Sequence, residues 1–193
     1  MPFIDSLFSE SGIRPEDLNA VAVSKGPGSY TGLRIGVSTA KGICYATGAH
    51  LISIGTLDAM ARGMLERIRT GPFEAFMVPM IDARRMEVYS AVYNHHMERV
   101  REVQADIVEK DTYLKWLNTG HKVVFFGNGA PKTKPVIAHA NAIFIDNFVP
   151  SASYLIPEAL EKFEKGDFED TAYFEPYYLK DFVAGIPKVK GLH

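Results

Sequence analysis

The residues best suited to chemistry form a glycine-rich loop between an apolar, strand-like run and a helix-like run. The loop contains Gly26, Gly28, Ser29, Thr31 and Gly32. Such a composition predicts a tight turn in which the backbone approaches another group, and helix N-termini attract anions. The spacing matches neither a P-loop, since no Lys-Ser/Thr pair follows the last glycine, nor the GxGxxG dinucleotide pattern. The sequence therefore leaves three candidates for the group that the loop contacts: a phosphate, a substrate and another protein.

A second group of polar residues follows a predicted strand. Asp82 ends that strand, Arg84 lies in the turn, and Glu87 opens the next strand. One interpretation is a solvated hairpin whose ion pairs each contribute less than about 1 kcal/mol. In the alternative, Asp82 and Arg84 face a cleft between two lobes. A further turn, Gly127-Asn128-Gly129, follows another apolar strand.

The helix after the glycine loop carries a strip of small residues. Gly32, Gly36 and Ala40 recur at helical spacing, with Thr39 and Gly42 on an adjoining strip. Each glycine inside a helix costs about 1 kcal/mol relative to alanine, so close approach of another backbone is the usual compensation. The sequence leaves two partners open: another helix of this chain, or a second subunit.

Composition narrows the function classes. The chain has 193 residues, 47% of them hydrophobic, and a formal net charge of −2. It is long enough for one large or two small domains, and its charge does not favour nucleic acid as a sole partner. Its one cysteine, Cys44, excludes an intrachain disulfide, and no HxxxH or HExxH pair occurs, so we expect no metal site. A GxSxG elbow is also absent.

The apolar periodicity predicts an α/β protein with two lobes and mixed sheets. Turn residues at 70–72 predict a boundary, which gives an N-terminal lobe at 1–71 and a C-terminal lobe at 72–193, with a tail that packs back on the first lobe. The first lobe contains only two strands, which is marginal in isolation. The predicted helices lie at about 2–11, 32–47, 56–68, 111–117 and 151–164, and the strands at about 18–24, 50–54, 75–81, 86–93, 97–103, 122–126 and 142–145.

Several motifs together resemble the bacterial TsaB family, also called YeaZ. The most specific is the run from Lys25 to Gly42, KGPGSYTGLRIGVSTAKG. The runs TLDAMA from Thr56, MIDARRMEVY from Met80, FGNGA from Phe126 and YLKD from Tyr178 also fit, so the resemblance covers essentially the whole chain.

This resemblance implies the two-lobed fold of actin, heat-shock chaperones and sugar kinases, in which each lobe is ribonuclease-H-like. It implies that this chain is a relative of the metal-dependent enzyme TsaD that has lost catalytic activity. Such relatives are also described as glycoprotease-like or peptidase M22-like proteins. TsaD transfers threonylcarbamoyl from its adenylate to adenosine in tRNA. TsaB binds and stabilises TsaD, and the ATPase TsaE joins them.

On this basis we expect a subunit without catalytic residues of its own. The expected contact surface with TsaD, or with a second copy in a homodimer, comprises Phe3, Leu7, Gly32, Ile35, Gly36, Thr39 and Ala40. A vestigial nucleotide cleft would comprise Gly26, Gly28, Ser29, Thr31, Asp82, Arg84, Gly127, Asn128 and Gly129.

The beginning of the chain departs from the family pattern. Family members open with strands that carry an Ile-x-x-Asp-Thr-Ser-like motif, whereas this chain opens at what resembles their first helix. We therefore expect an incomplete first lobe and no cofactor, including no binding of ATP or ADP by this chain alone. Contact with tRNA is expected only through the complex. Since neither a signal peptide nor a membrane-length apolar run is found, a cytoplasmic protein is expected. The alternatives are a nucleotide-dependent transferase or hydrolase that uses the glycine loop and Asp82, and a protease.

Overall fold

The structure is a computed structural model that describes residues 2–68 and 74–180. The predicted boundary at 70–72 and the end of the aromatic tail, Asp181 and Phe182, lie outside the described residues. Within the described residues the strands form two sheets, one of two strands and one of five. Among these residues no helix is both long and apolar enough to cross a bilayer.

The smaller sheet consists of two parallel strands, β1 (Ala20–Gly26) and β2 (His50–Gly55). Helix α1 (Pro2–Ser11) precedes them, and helix α2 (Tyr30–Thr47) connects them. Parallel strands need such a crossover, because a tight turn reverses the direction of the chain and can therefore join only antiparallel strands. Gly48 ends α2 with a φ of 77°, and the predicted C-terminus of this helix is confirmed.

The inward face of α2 packs against this sheet. Ala40 and Cys44 are buried against Leu51, with Val21 and Val23 beside them. Burial raises the pKa of the Cys44 thiol, as expected for a small core side chain rather than a nucleophile.

The larger sheet has the strand order β5-β4-β3-β6-β7. Strands β3, β6 and β7 are parallel neighbours, and β4 and β5 extend the sheet as antiparallel strands, so the mixed sheet predicted from the sequence is confirmed. The strand bounds are β3 Ala75–Asp82, β4 Glu87–Tyr93, β5 Arg99–Ile107, β6 Lys122–Phe126 and β7 Ala142–Ile145.

Three further helices cover the sheets. Helix α3 (Thr56–Ile68) follows β2 directly and buries Leu57, Met60 and Met64 against the larger sheet. Helix α3 therefore connects the two layers. Short helix α4 (Leu114–Leu117) packs beside β6, and α5 (Ile156–Lys165) packs on the smaller sheet near Ile52 and Ile54.

The segment at 168–178 lies along the smaller sheet. The Glu169 N–H donates to the Leu51 carbonyl at 2.8 Å, and the Tyr177 N–H donates to the Lys25 carbonyl at 2.7 Å. Between these points, the Lys41 ammonium donates to the carbonyls of Ala172 and Phe174. This strap brings the C-terminal part of the described chain to the glycine loop.

Candidate functional site

The glycine loop is held by the strap at its first glycine. Gly26 has a φ of 116°, and a Cβ on it would lie 2.6 Å from the Tyr177 carbonyl oxygen. That distance is below any real Cβ contact, and the φ value lies in the region that favours glycine. The requirement for glycine here thus comes from the chain's own backbone, and it needs no bound phosphate.

The end of the loop caps α2. The Ser29 hydroxyl accepts the Gly32 N–H at 3.3 Å, so Ser29 is the N-cap of α2, which begins at Tyr30, earlier than the predicted start near residue 32. Thr31 is exposed. Gly28 and Gly32 have no atom closer than 3.4 Å to an added Cβ, so no close approach explains them.

Asp82 and Arg84 lie in one turn, where Asp82 is paired with a lysine of this chain. The Lys132 ammonium donates to Asp82 Oδ1 at 2.6 Å, and the Arg84 N–H donates to the same oxygen at 2.7 Å. The hydrogen bond from Lys132 is the main reason that the pKa of Asp82 lies below its usual value. The charge of Asp82 is therefore already compensated, and the Arg84 side chain is exposed.

The turn after β6 meets the Asp82 turn. The Asn128 side-chain oxygen accepts the Asp82 N–H at 3.0 Å. Gly127 has a φ of 97°, and a Cβ there would lie 2.4 Å from the Met80 carbonyl oxygen; at Gly129 it would lie 2.9 Å from the Ile81 carbonyl carbon. These glycines allow β6 and its turn to pack against β3.

One cleft, of about 290 Å³, brings part of the predicted nucleotide site together. The predicted residues that line it are Gly28, Ser29, Gly32 and Asn128. Its remaining lining residues are Ser24, Pro27, Leu33, Thr56, Met60, Ile81 and Pro150. Gly26, Thr31, Asp82, Arg84, Gly127 and Gly129 are not among the lining residues, which is the main difference from the prediction.

The lining of this cleft is a poor match for a nucleotide. Phosphate groups are held by Lys, Arg or several free backbone N–H groups. Among the residues that the structure describes, no charged side chain lines the cleft, and Ser29 already accepts the Gly32 N–H at the start of α2. The two hydroxyls at its floor, Ser24 and Thr56, bond each other at 2.6 Å.

A second cleft, of about 400 Å³, was not predicted. Lys25, Asp58, Arg99, Glu102 and Glu158 are its charged lining residues. Arg99 pairs with both Asp58 and Glu102, and the Tyr93 hydroxyl donates to Asp58 at 2.8 Å. Because these residues come from separate elements along the chain, no local spacing in the sequence could indicate the cluster.

Glu158 is the least compensated acid of this second cleft. Burial, followed by the charge of Asp58, raises the pKa of Glu158. No ion pair with Glu158 is found among residues 2–68 and 74–180. A carboxyl group with a raised pKa in a cleft is a recurring feature of functional sites, and also of structural clusters.

The residues of α2 that were predicted to form the contact surface do not all lie on one face of the helix. Ile35 is 63% exposed, and Gly32 is exposed as well. Ala40 does not lie on this surface: it is 4% exposed and packs towards Leu51. Gly36 also turns partly inward, since an added Cβ would lie 4.0 Å from Val23. Of the strip, only Ala40 packs closely inside this chain; a Cβ on Gly32, Gly36 or Gly42 would meet no atom closer than 3.4 Å, so packing of α2 on β1 does not require these glycines.

The exposed face of α2 instead carries Ile35 and Tyr45, with half-buried Thr39 nearby. On α1, Phe3 and Leu7 are 92% and 65% exposed. These large apolar side chains are the kind that protein interfaces cover.

The chain matches one family model and is similar in fold to solved structures. The family model described as TsaD, tRNA N6-adenosine threonylcarbamoyltransferase, matches residues 1–186. A solved structure of an uncharacterized Pseudomonas aeruginosa protein with similarity to peptidase YeaZ superposes with a TM-score of 0.79. It is 21% identical, and the match covers 93% of this chain and 82% of that one. The two sheets and their helices therefore form the actin-like, ribonuclease-H-like fold.

Similar curated proteins identify the subgroup of this family. The tRNA threonylcarbamoyladenosine biosynthesis protein TsaB of Escherichia coli K12 is 28% identical over 95% of this chain and 80% of the relative. The protein of the same name from Bacillus subtilis 168 is 33% identical over 71% of this chain and 58% of the relative. The chain belongs to the TsaD family and, within it, to the TsaB (YeaZ) proteins.

Proposed function

We propose that this protein takes part in forming N6-threonylcarbamoyladenosine in tRNA as a non-catalytic subunit that binds and stabilises TsaD. Membership of the TsaD family and the names of the TsaB relatives support the pathway. TsaE joins the assembly, tRNA is contacted only through it, and the complex works in the cytoplasm. No cofactor is assigned to this chain alone.

The observation that carries the proposal is the exposed apolar face of α2. Ile35 on this face is 63% exposed, and Tyr45 is 89% exposed. Next to it, the hydroxyls of Ser24 and Thr56 in the first cleft bond each other, and the Ser29 hydroxyl accepts the Gly32 N–H. A surface that offers apolar area, beside a cleft whose polar groups are already paired, suits a binding subunit better than a catalyst.

Binding through α2 is tested by a charge on its exposed face. We expect Ile35→Asp to abolish co-elution with the TsaD protein of the same organism, because an aspartate would have to be buried in the interface. Ile107→Asp is the matched control, since Ile107 is an isoleucine of similar exposure, 69%, on the larger sheet. Co-elution that survives Ile35→Asp would remove α2 from the interface.

The role in modification is tested by reconstitution. TsaD and TsaE are incubated with threonylcarbamoyl adenylate and tRNA, and the modified nucleoside is measured by mass spectrometry. The modification should require the wild-type chain and should be restored by Ile107→Asp but not by Ile35→Asp. Equal modification without the chain would refute the role.

A nucleotide-dependent enzyme is the second candidate. The observation in its favour is that each cleft is lined by residues at or next to the carboxyl ends of β1 and β2, and ligands in α/β sheets bind outside the carboxyl ends of strands. Calorimetry of this chain with ATP and Mg²⁺ distinguishes the two candidates. A non-catalytic binding subunit should give no heat of nucleotide binding, whereas a nucleotide-dependent enzyme should give a measurable heat.

A further inference from the structure

The second cleft lies between the smaller sheet and strand β5 of the larger one. Residues at the ends of β1 and β2, on α3, α5 and β5, and on the strap line a volume of about 400 Å³. Cavities of about 300–1,000 Å³ are the usual size of small-molecule sites. Among the described residues, only Gly26 is shared with the predicted nucleotide cleft, so the second cleft is a separate candidate.

Three charged side chains of this cleft are paired with one another. Arg99 pairs with Asp58 at 2.5 Å and with Glu102 at 2.9 Å. The Tyr93 hydroxyl also donates to Asp58. The Glu102 side chain is 74% exposed, so water solvates it as well. Each of these groups already has a partner, and the cluster does not require a ligand.

Lys25 and Glu158 are the two charged lining residues that remain. In the part of the chain that the structure describes, neither side chain has an ion pair or a hydrogen bond. Burial and the charge of Asp58 raise the pKa of Glu158, and Lys25 is among the cations that lower it, so Lys25 lies close by. The cleft thus contains one positive and one negative group that are near each other without forming a pair.

The other cations near Glu158 are occupied by other acids. Arg62 pairs with Glu161, and Lys162 pairs with Asp167. Neither of these two cations is among the described residues that line the cleft. Burying a charge without a partner costs free energy. A ligand that supplies the missing opposite charges offsets this cost.

We propose that the second cleft binds a small zwitterion, a molecule such as an amino acid that has one carboxylate and one ammonium group. Lys25 donates to the carboxylate of the ligand, and Glu158 accepts from its ammonium group. Both contacts are charge-assisted hydrogen bonds, which are stronger than neutral ones. An anion without an ammonium group, or a cation without a carboxylate, would leave one of the two protein charges without a partner.

The remaining lining suits the carbon atoms between the two charged ends of such a ligand. Val103 and Tyr177 supply apolar surface. Two glycines keep further side chains out of the cleft. A Cβ on Gly55 would collide with the Asp58 carboxylate. A Cβ on Gly26 would collide with the Tyr177 carbonyl oxygen. The shape of the cleft therefore depends on backbone that approaches groups already fixed by other contacts.

The first experiment titrates the isotope-labelled full chain with three probes and follows its amide signals by NMR. Glycine, β-alanine and γ-aminobutyrate carry the same two charged groups at increasing separation. At least one of them should give saturable shifts, which should be largest around the cleft, at Gly26 and Gly55. Propionate and propylamine each carry one of the two charges, and they should bind at least about tenfold more weakly than the best probe.

Two results of this titration would overturn the proposal. One is the absence of a saturable shift with all three probes at millimolar concentration. The other is binding of propionate or propylamine as tight as that of the best probe, because a single charge would then be sufficient.

The second experiment assigns the two ends of the ligand. Lys25→Met and Glu158→Gln each remove one charge at nearly constant size, and each should weaken binding of the best probe at least about tenfold. Lys110→Met and Glu164→Gln are the matched controls, because both residues are exposed and do not line the described cleft, and they should bind as wild type does. Circular dichroism checks that each variant is folded. Wild-type affinity in folded Lys25→Met or Glu158→Gln would contradict the assignment.

Exchange of the two charges separates binding from a structural role. The double variant with Lys25→Glu and Glu158→Lys can hold a zwitterion in the opposite orientation, so it should bind the probe more tightly than Lys25→Glu alone. A folded double variant that binds no better would contradict the proposal. Ile35→Asp should bind the probe like wild type, since binding of TsaD is proposed to use a different surface, and the two assignments can therefore fail separately.

Discussion

The substitution Gly26→Ala separates a loop shaped by the chain's own backbone from one shaped by a ligand. Gly26 has a φ of 116°, and the new Cβ would lie 2.6 Å from the Tyr177 carbonyl oxygen and 3.1 Å from Leu33. A non-glycine residue in such a conformation costs about 1–3 kcal/mol. Moving the strap away from the Cβ weakens the hydrogen bond from Tyr177 to Lys25, which is worth about 1 kcal/mol.

We therefore expect Gly26→Ala to lower the free energy of unfolding by about 2–4 kcal/mol. Gly28→Ala is the control in the same loop. Its nearest neighbours are Leu33 carbons at 3.9 Å, and it has no positive φ, so its effect should stay within about 0.5 kcal/mol.

The assay is urea denaturation followed by circular dichroism, without nucleotide and at one protein concentration, because association shifts apparent stability. Equal stability of the two variants, or a Gly26→Ala variant as stable as wild type, would refute the internal explanation of this loop.

Two further substitutions test the packing of the polar clusters. Asp106→Asn should destabilise the larger sheet by about 3 kcal/mol, because Asp106 is buried, pairs with Arg101 and accepts hydrogen bonds from Ser90 and Tyr113. The fluorescence of Trp116 during urea unfolding measures this loss of stability. A loss below about 1 kcal/mol would contradict a buried network. Glu158→Gln should raise stability at neutral pH. The folded-state pKa of Glu158 is raised, so the folded state binds this proton more readily than the unfolded state, and stability falls as pH rises from the ordinary carboxyl pKa through the folded one. Unfolding midpoints across this range check it, and a Glu158→Gln variant less stable than wild type at neutral pH would show that the carboxylate is favourably paired.

Local patterns were sufficient for most elements. The predicted bounds of α1, α3, β6 and β7 are confirmed. The strand predicted from Leu18 begins instead at Ala20, because Pro15–Asp17 forms a 3-10 turn that Leu18 caps. Strand β5, predicted to end near Val103, continues to Ile107 because its residues 104–107 pair in register with residues 87–90 of β4.

The site was less accessible to sequence reasoning. Helical periodicity would have placed Ala40 correctly, since it shares an inward face with Val37 and Cys44. The glycine motif indicated a close approach at Gly26 but not its partner, because Tyr177 lies far along the chain. The cluster of Asp58, Arg99 and Glu158 likewise depends on tertiary contacts alone.

Binding to TsaD is the central claim, and the most direct measurement is a titration of labelled TsaD with this protein. The account predicts saturable binding of the wild type, unchanged affinity for Ile107→Asp and at least about tenfold weaker binding for Ile35→Asp, equivalent to about 1.4 kcal/mol or more. No binding by the folded wild type, or equal affinity of both variants, would contradict it.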